Sequence, residues 1–106
     1  MSNKRARTER REREREAVKM AKARLKLASL EPGGAPERPI EVTSASTIEV
    51  HASGLPCVAC GAHGVRVEEH EAITVDGRSL RVTHMLCPRC GVRRDIYFRI
   101  APPLPS

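Results

Sequence analysis

Two copies of a Cys-x-x-Cys-Gly motif constrain this sequence more than any other feature. The first reads CVACG and begins at Cys57, and the second reads CPRCG and begins at Cys87. These motifs hold all four cysteines of a chain that has one Tyr, one Phe and no Trp. A domain with so few aromatic side chains buries little apolar area, and small domains of this kind commonly depend on disulfides or a bound metal. The two motifs therefore predict a small domain stabilised by its cysteines.

Metal coordination is the interpretation that this spacing favours. Zinc takes four tetrahedral ligands, and a Cys-x-x-Cys turn supplies two sulfurs from one loop, so two such turns complete the shell. A glycine after each second cysteine lets the backbone turn back and aim amide groups at the thiolates. The predicted ligands are Cys57, Cys60, Cys87 and Cys90. Two disulfides or a redox dithiol are the alternatives, although a thioredoxin-like site needs a βαβ setting that the sequence lacks.

The stretch from Cys57 to about Ile100 resembles the zinc ribbon family, whose two CPxCG-type knuckles are joined by a β-hairpin and followed by a third strand. The motifs that carry the resemblance stand here as CVACG and CPRCG, with Val58 where proline is common. The fold class that we expect is a small metal-stabilised β domain, a three-stranded antiparallel zinc ribbon with an N-terminal basic helix. Zn²⁺ is the expected cofactor.

The resemblance also raises an enzymatic comparison. Transcript-cleavage elongation factors have a zinc ribbon with similar cysteine separation and an acidic pair at the hairpin tip that serves the metal chemistry of the polymerase. The tip here reads TVDGRSL, so Gly77 follows Asp76 and the second carboxylate is missing. A closed four-thiolate site leaves no open position for water, and no Ser/His/Asp arrangement or phosphate loop is apparent. We expect Asp76 to be a turn residue and the protein not to be an enzyme.

The Asp-Gly pair at residues 76–77 is the strongest hairpin signal in the chain. A two-residue type I′ turn needs positive φ at both central positions, and Asp-Gly is a preferred pair for it. The register that follows places Ile73 opposite Leu80 and Val67 opposite Leu86. The two strands of this hairpin lie between the two cysteine motifs.

This register creates a conflict on one face of the hairpin. Glu69 and Glu71 fall beside His84 on the same face as apolar residues, which an ordinary two-sided strand does not explain. A bulge near residues 68 to 70, or an exposed outer half of the hairpin, would resolve the conflict. The third strand, VRRDIYFRI, alternates cleanly and places Phe98 on its inner face.

The chain divides into four segments. They are a charge-rich helical arm at 1–30, a linker rich in Pro, Gly, Ser and Thr at 31–56, the zinc ribbon at 57–100 and a Pro-rich tail at 101–106. The arm lacks Pro and Gly and consists of strong helix formers. Its opposite charges fall at helical spacing, for instance Glu9 with Arg13. The linker repeats Ile-Glu-Val at residues 40–42 and 48–50. These short alternating segments fit an extra hairpin, one edge strand on the domain or an extended chain, and a strand at Thr47–His51 is one of the possibilities.

The charge of the protein is concentrated in the arm. Residues 1–30 hold eleven Lys and Arg against four Glu, a net +7, whereas the rest of the chain holds eight Arg against nine acidic residues, a net −1. Such an arm can follow phosphates and release counterions. The candidate nucleic-acid contacts are Arg10, Arg11, Arg13, Arg15, Lys19, Lys22 and Lys26 of the arm, with Arg93 and Arg94 of the ribbon.

These features favour a binding module that attaches through its arm to nucleic acid or to a nucleoprotein machine such as a ribosome or RNA polymerase. The alternative is a protein-interaction adaptor without nucleic acid. Its helix would dock on an acidic partner or self-associate through Leu25, Leu27 and Leu30, while the ribbon supplies a rigid edge strand. A helix on anionic lipid and an arm that only aids solubility are further readings. No apolar run reaches the length of a signal peptide or a membrane span, so we expect a cytoplasmic protein. We also expect no small-molecule substrate.

Overall fold

The computed structural model describes residues 3–102, so most of the predicted Pro-rich tail lies outside the described residues. The elements in chain order are α1 (Asn3–Ala28), β1 (Ile40–Val42), a 3₁₀ turn (Ala45–Thr47), α2 (Ile48–Gly54), β2 (Arg66–Val75), β3 (Arg78–Leu86) and β4 (Arg93–Ile100). We refer to residues 40–100 as the sheet domain and to residues 1–30 as the arm. Within the described part of the chain, no helix has the length and apolar content needed to cross a membrane.

The long helix α1 forms where helix formers run without interruption, and it ends at Ala28, shortly before Pro32, Gly33 and Gly34. The Ser29 hydroxyl donates to the Lys26 carbonyl at 2.6 Å, which satisfies one of the free carbonyls of the last turn. Gly34 then passes so close to the helix end that a Cβ atom there would lie 2.1 Å from the Ala28 carbonyl oxygen. Only glycine allows this approach, so the chain leaves the helix in a fixed direction.

The sheet has four strands in the order β1-β4-β3-β2 and is mixed, so the expectation of a three-stranded antiparallel sheet is wrong in strand count. The added strand comes from the segment predicted to be a linker, and it pairs parallel to β4 with Ile40 beside Phe98. The Tyr97 amide also donates to the Gly33 carbonyl at 2.9 Å. The segment covers the edge of β4, whose backbone groups would otherwise lie unpaired.

The β2–β3 hairpin turns at residues 76–77 as predicted, with φ of 50° and 77° at these two positions. Ile73 lies opposite Leu80, which confirms the predicted register close to the turn. The register shifts between Val67 and Glu69, which confirms the expected bulge. Because the bulge absorbs one residue, Val67 lies opposite Met85, and the predicted pairing of Val67 with Leu86 is wrong by one position.

A short helix covers one face of the sheet and completes the core. The segment Thr47–His51, one possible strand of the linker, instead begins α2, with Thr47 as the N-cap and the other four residues in the helix. The reason is a helical spacing of apolar residues, since Ile48 and Ala52 lie one turn apart and are both fully buried. These two side chains pack with three side chains of β3 and β4. The buried core consists of Ile48, Ala52, Met85, Ile96 and Phe98.

Candidate metal centre

The two cysteine motifs fold into knuckles with matching backbone hydrogen bonds. In the first knuckle, the Gly61 amide donates to the Cys57 carbonyl at 2.7 Å, and the Cys57 amide donates to the Ala62 carbonyl at 2.9 Å. In the second, the Gly91 amide donates to the Cys87 carbonyl at 2.8 Å. Gly61 and Gly91 have φ of 76° and 77°, which explains why glycine follows each second cysteine. Each knuckle thus holds its two cysteines in one tight turn.

The structure brings all four predicted cysteines together. The Sγ atoms of Cys57 and Cys90 lie 3.7 Å apart, as do those of Cys60 and Cys87. All four sulfurs lie within 4.8 Å of one another. A tetrahedral zinc ion with bonds near 2.3 Å requires sulfur–sulfur distances of about 3.8 Å, whereas a disulfide requires about 2.05 Å. The four thiols therefore fit a metal ion, and all four are free cysteines.

The protein environment favours thiolates unequally across this cluster. The backbone amides of Cys90 and then Arg89 donate to the Cys87 sulfur and lower its pKa to about 7. The Val92 amide favours the Cys90 thiolate, but desolvation and hydrogen bonds to the other sulfurs outweigh it and raise the pKa of Cys90 to about 12. Four adjacent sulfurs repel one another when ionised, and a divalent cation among them offsets that repulsion.

The two knuckles differ in what covers them. Helix α1 lies on the first knuckle, where the Arg24 Nη1 donates to the Ala59 carbonyl at 2.9 Å. Ala21 packs against the buried cluster that contains Cys57 and Ala59. The corresponding residues of the second knuckle, Pro88 to Cys90, are exposed. Sequence reasoning missed this contact because its alanines carry no distinctive signal.

The basic residues predicted to contact nucleic acid fall into two groups. Those of the arm lie on α1, where residues 5–20 are all exposed. Arg93 of the sheet domain instead forms an ion pair with Glu68. Arg94 lines a small cavity beside Cys57, and burial lowers the pKa of its guanidinium. Arg93 is therefore already paired within the sheet domain, and Arg94 is partly buried.

A second polar cluster lies on the face of the sheet opposite Phe98. His84 Nδ1 lies 2.6 Å from the Asp95 carboxylate, and His84 Nε2 lies 2.7 Å from that of Glu71. The hydrogen bond with Glu71, followed by that with Asp95, raises the pKa of His84 to about 8. Glu69 completes a group that could hold a metal. However, ligand atoms on one zinc ion at about 2.1 Å lie roughly 3.4 Å apart, so the shorter distances here indicate shared protons.

A four-stranded mixed sheet with two matching cysteine knuckles defines a small β domain whose four-cysteine site can hold a metal ion. Comparison of the chain with protein-family models, with curated proteins and with solved structures found no match in any of the three. The class therefore rests on the fold and the site themselves.

Proposed function

We propose that the four cysteines hold a structural Zn²⁺ ion and that the zinc-bound domain presents the arm to nucleic acid or a nucleoprotein complex. The observation that carries the proposal is the state of charge along α1. Among residues 5–30, no Lys or Arg side chain lies within 4.0 Å of a carboxylate oxygen. The four Glu of the arm leave it with a net charge of +7, and the lack of ion pairs at residues 5–30 supports binding of this charge to phosphates.

A structural role for the ion follows from the number of sulfurs. Four thiolates saturate a tetrahedral zinc ion and leave no position for water or substrate, as in structural zinc sites. The role of the metal would be to hold the two knuckles together beneath the sheet. We therefore propose a binding protein with no catalytic activity, similar in architecture to a zinc ribbon.

The arm has the dimensions and chemistry of a phosphate-binding element. Its helix, Asn3–Ala28, has 26 residues, which corresponds to a length of about 39 Å. A rigid helix of this length spans about one turn of duplex, roughly 34 Å. Few side chains can stack on bases, because Phe98 is fully buried and Tyr97 is the only other Phe, Tyr or Trp residue of the sequence. We expect binding through phosphates with little dependence on sequence.

Salt titration of binding tests this proposal directly. Fluorescence anisotropy with duplex and single-stranded oligonucleotides should show affinity that falls steeply with salt. The double variant Lys22→Gln and Lys26→Gln should reduce the slope by up to about two on duplex DNA, since each phosphate contact contributes roughly 0.9. The matched control is Arg66→Gln with Arg78→Gln, which removes the same charge from exposed positions of the sheet domain. Equal slopes for the two double variants would refute the role of the arm.

A specific observation also favours the adaptor as a second candidate. Four of the large apolar side chains that remain exposed lie on α1 or in the turn that follows it, among them Leu27 and Leu30 at 63% exposure each. Leu25, which the adaptor interpretation also used, is half-buried. These exposed apolar side chains lie beside the lysines of α1, so the surface suits a partner that presents an acidic amphipathic helix. Under this candidate, Leu27→Asp should abolish binding of the partner, whereas the lysine variant should mainly slow association.

A further inference from the structure

The end of α1 is fastened to the sheet domain at two places. One is the turn after the helix, where Ala28 is 4% exposed and the Gly33 carbonyl accepts from the Tyr97 amide at 2.9 Å. The other is the first knuckle, where Arg24 donates to the Ala59 carbonyl. Two attachments about one helical turn apart fix the direction in which a helix leaves a domain. The direction of the arm therefore depends on the shape of the first knuckle.

The attachment at the knuckle lies within the metal-binding turn itself. The Ala59 carbonyl belongs to the peptide that joins Ala59 to Cys60, between the two cysteines of the motif. A guanidinium donor to this carbonyl makes a charge-assisted hydrogen bond and polarises the peptide, so its amide becomes a stronger donor. This polarisation favours the metal-bound form of the knuckle.

The second knuckle shows what the first would be without this contact. Its equivalent carbonyl belongs to Arg89, an exposed residue, and no side chain of the described residues donates to it. The backbone hydrogen bonds of the two knuckles are otherwise alike. The Arg24 contact is thus an addition to a knuckle that can form without it, rather than part of the basic turn.

We propose that Arg24 is a positioning residue of the metal centre and that metal binding and the direction of the arm are coupled through it. The inference rests on the metal assignment of the proposed function and not on the ligand of the arm. Metal in the four-cysteine site holds the first knuckle in the shape that accepts Arg24, and Arg24 in turn stabilises that shape. Because coupling is reciprocal, loss of Arg24 must weaken metal binding, and loss of metal must release the arm.

Metal competition with the full-length protein tests the first half of this coupling. Zn²⁺ affinity, measured against a chromophoric chelator, should fall about tenfold in Arg24→Gln, the lower end of the effect of removing an outer-shell partner. The matched control Lys22→Gln removes the same charge two residues away, at an exposed position, and should leave the affinity unchanged. The Co²⁺-loaded Arg24→Gln protein should show shifted sulfur-to-metal absorption bands, and Arg24→Lys should restore part of both effects.

Backbone ¹⁵N relaxation tests the second half. In the Zn²⁺-loaded wild type and Lys22→Gln, residues 5–20 should tumble with the sheet domain, and in Arg24→Gln they should show faster independent motion. Ala21→Glu, compared with Ala23→Glu on the exposed side of the helix, is an independent variant that breaks the same contact through Ala21. Equal Zn²⁺ affinity and equal relaxation in Arg24→Gln and Lys22→Gln would overturn the coupling. A wild type that binds no Zn²⁺ would overturn the metal assignment as well.

Discussion

The arm and the sheet domain differ in whether any of their arginines form ion pairs. In the sheet domain two of the seven arginines do, Arg99 with Glu41 at 3.2 Å and Arg93 with Glu68. In the arm, arginines and glutamates alternate along residues 5–20, which are all exposed, without forming such pairs within the described residues. Even Glu9 and Arg13, which have ideal spacing, meet only through a side chain to backbone hydrogen bond. Ion pairs thus link residues of the sheet domain to one another, whereas the cations of residues 5–20 form none.

This difference extends to what holds each region together. The helix α1 forms from local propensity, with each residue contributing at its own position. The sheet domain depends on contacts between residues that are far apart in the sequence. An example is the pair Cys57 and Cys90, whose sulfurs lie 3.7 Å apart. A perturbation of the cysteine site should therefore affect the sheet domain more than the arm.

Removal of the metal should have the largest effect. Apparent binding of structural zinc contributes roughly 10 to 16 kcal/mol, more than a core of this size supplies alone. A chelator, or Cys87→Ser, should therefore unfold the sheet domain while helical signal from α1 is partly kept. Circular dichroism and amide dispersion report the two regions separately. Strand signal that survives the chelator, with no metal found by elemental analysis, would show that the sheet domain does not depend on zinc.

A change of pH should have an intermediate effect, confined to the sheet domain. His84 is faced by Glu71 and Asp95, with Glu69 beside them and the Arg93–Glu68 pair nearby. The folded-state pKa of His84 is raised from 6.5 to about 8. The protonated ring therefore stabilises the fold fully below about pH 6.5, and this contribution is lost as pH rises through about 8.

The same cluster limits the effect at acidic pH. Hydrogen bonding to His84 lowers the pKa of Glu71 below 4.5, so stability from this carboxylate is present above that value and is lost as pH falls through the folded-state pKa. In guanidinium chloride with excess Zn²⁺, deprotonation of the cysteines makes the free energy of unfolding depend on pH in every variant. The free-energy advantage of the wild type over His84→Gln should nevertheless shrink between pH 6.5 and 8.5, whereas the difference between the wild type and His63→Gln, an exposed histidine of the first knuckle, should stay constant. An advantage over His84→Gln that does not change with pH would contradict the stabilising role of the protonated ring.

The sequence predicted those features that depend on local chemistry or on strict spacing. The cysteine site, the hairpin turn and the bulge each follow from a motif that needs special φ angles or a two-residue period. It left open whether Ile40–Val42 forms an edge strand, because three residues carry too little pattern and their partner Phe98 lies far along the chain. Likewise α2 was hidden because its alternating Ile-Glu-Val also fits a strand, and only the buried position of Ile48 and Ala52 decides between them.

The smallest effect is expected for a substitution at the hairpin tip of the sheet domain, at Asp76. Asp76 is exposed and has φ of 50°, a conformation that Asn adopts as readily as Asp. Asp76→Asn should therefore change the free energy of unfolding by no more than about 0.5 kcal/mol and leave oligonucleotide binding unchanged. Asp76→Val is the contrasting control, because a β-branched residue is strained at positive φ and should destabilise the hairpin by about 1 to 2 kcal/mol. If Asp76→Asn instead abolished an activity while stability was kept, the carboxylate would have a chemical role like that in transcript-cleavage factors, and the turn interpretation of Asp76 would be wrong.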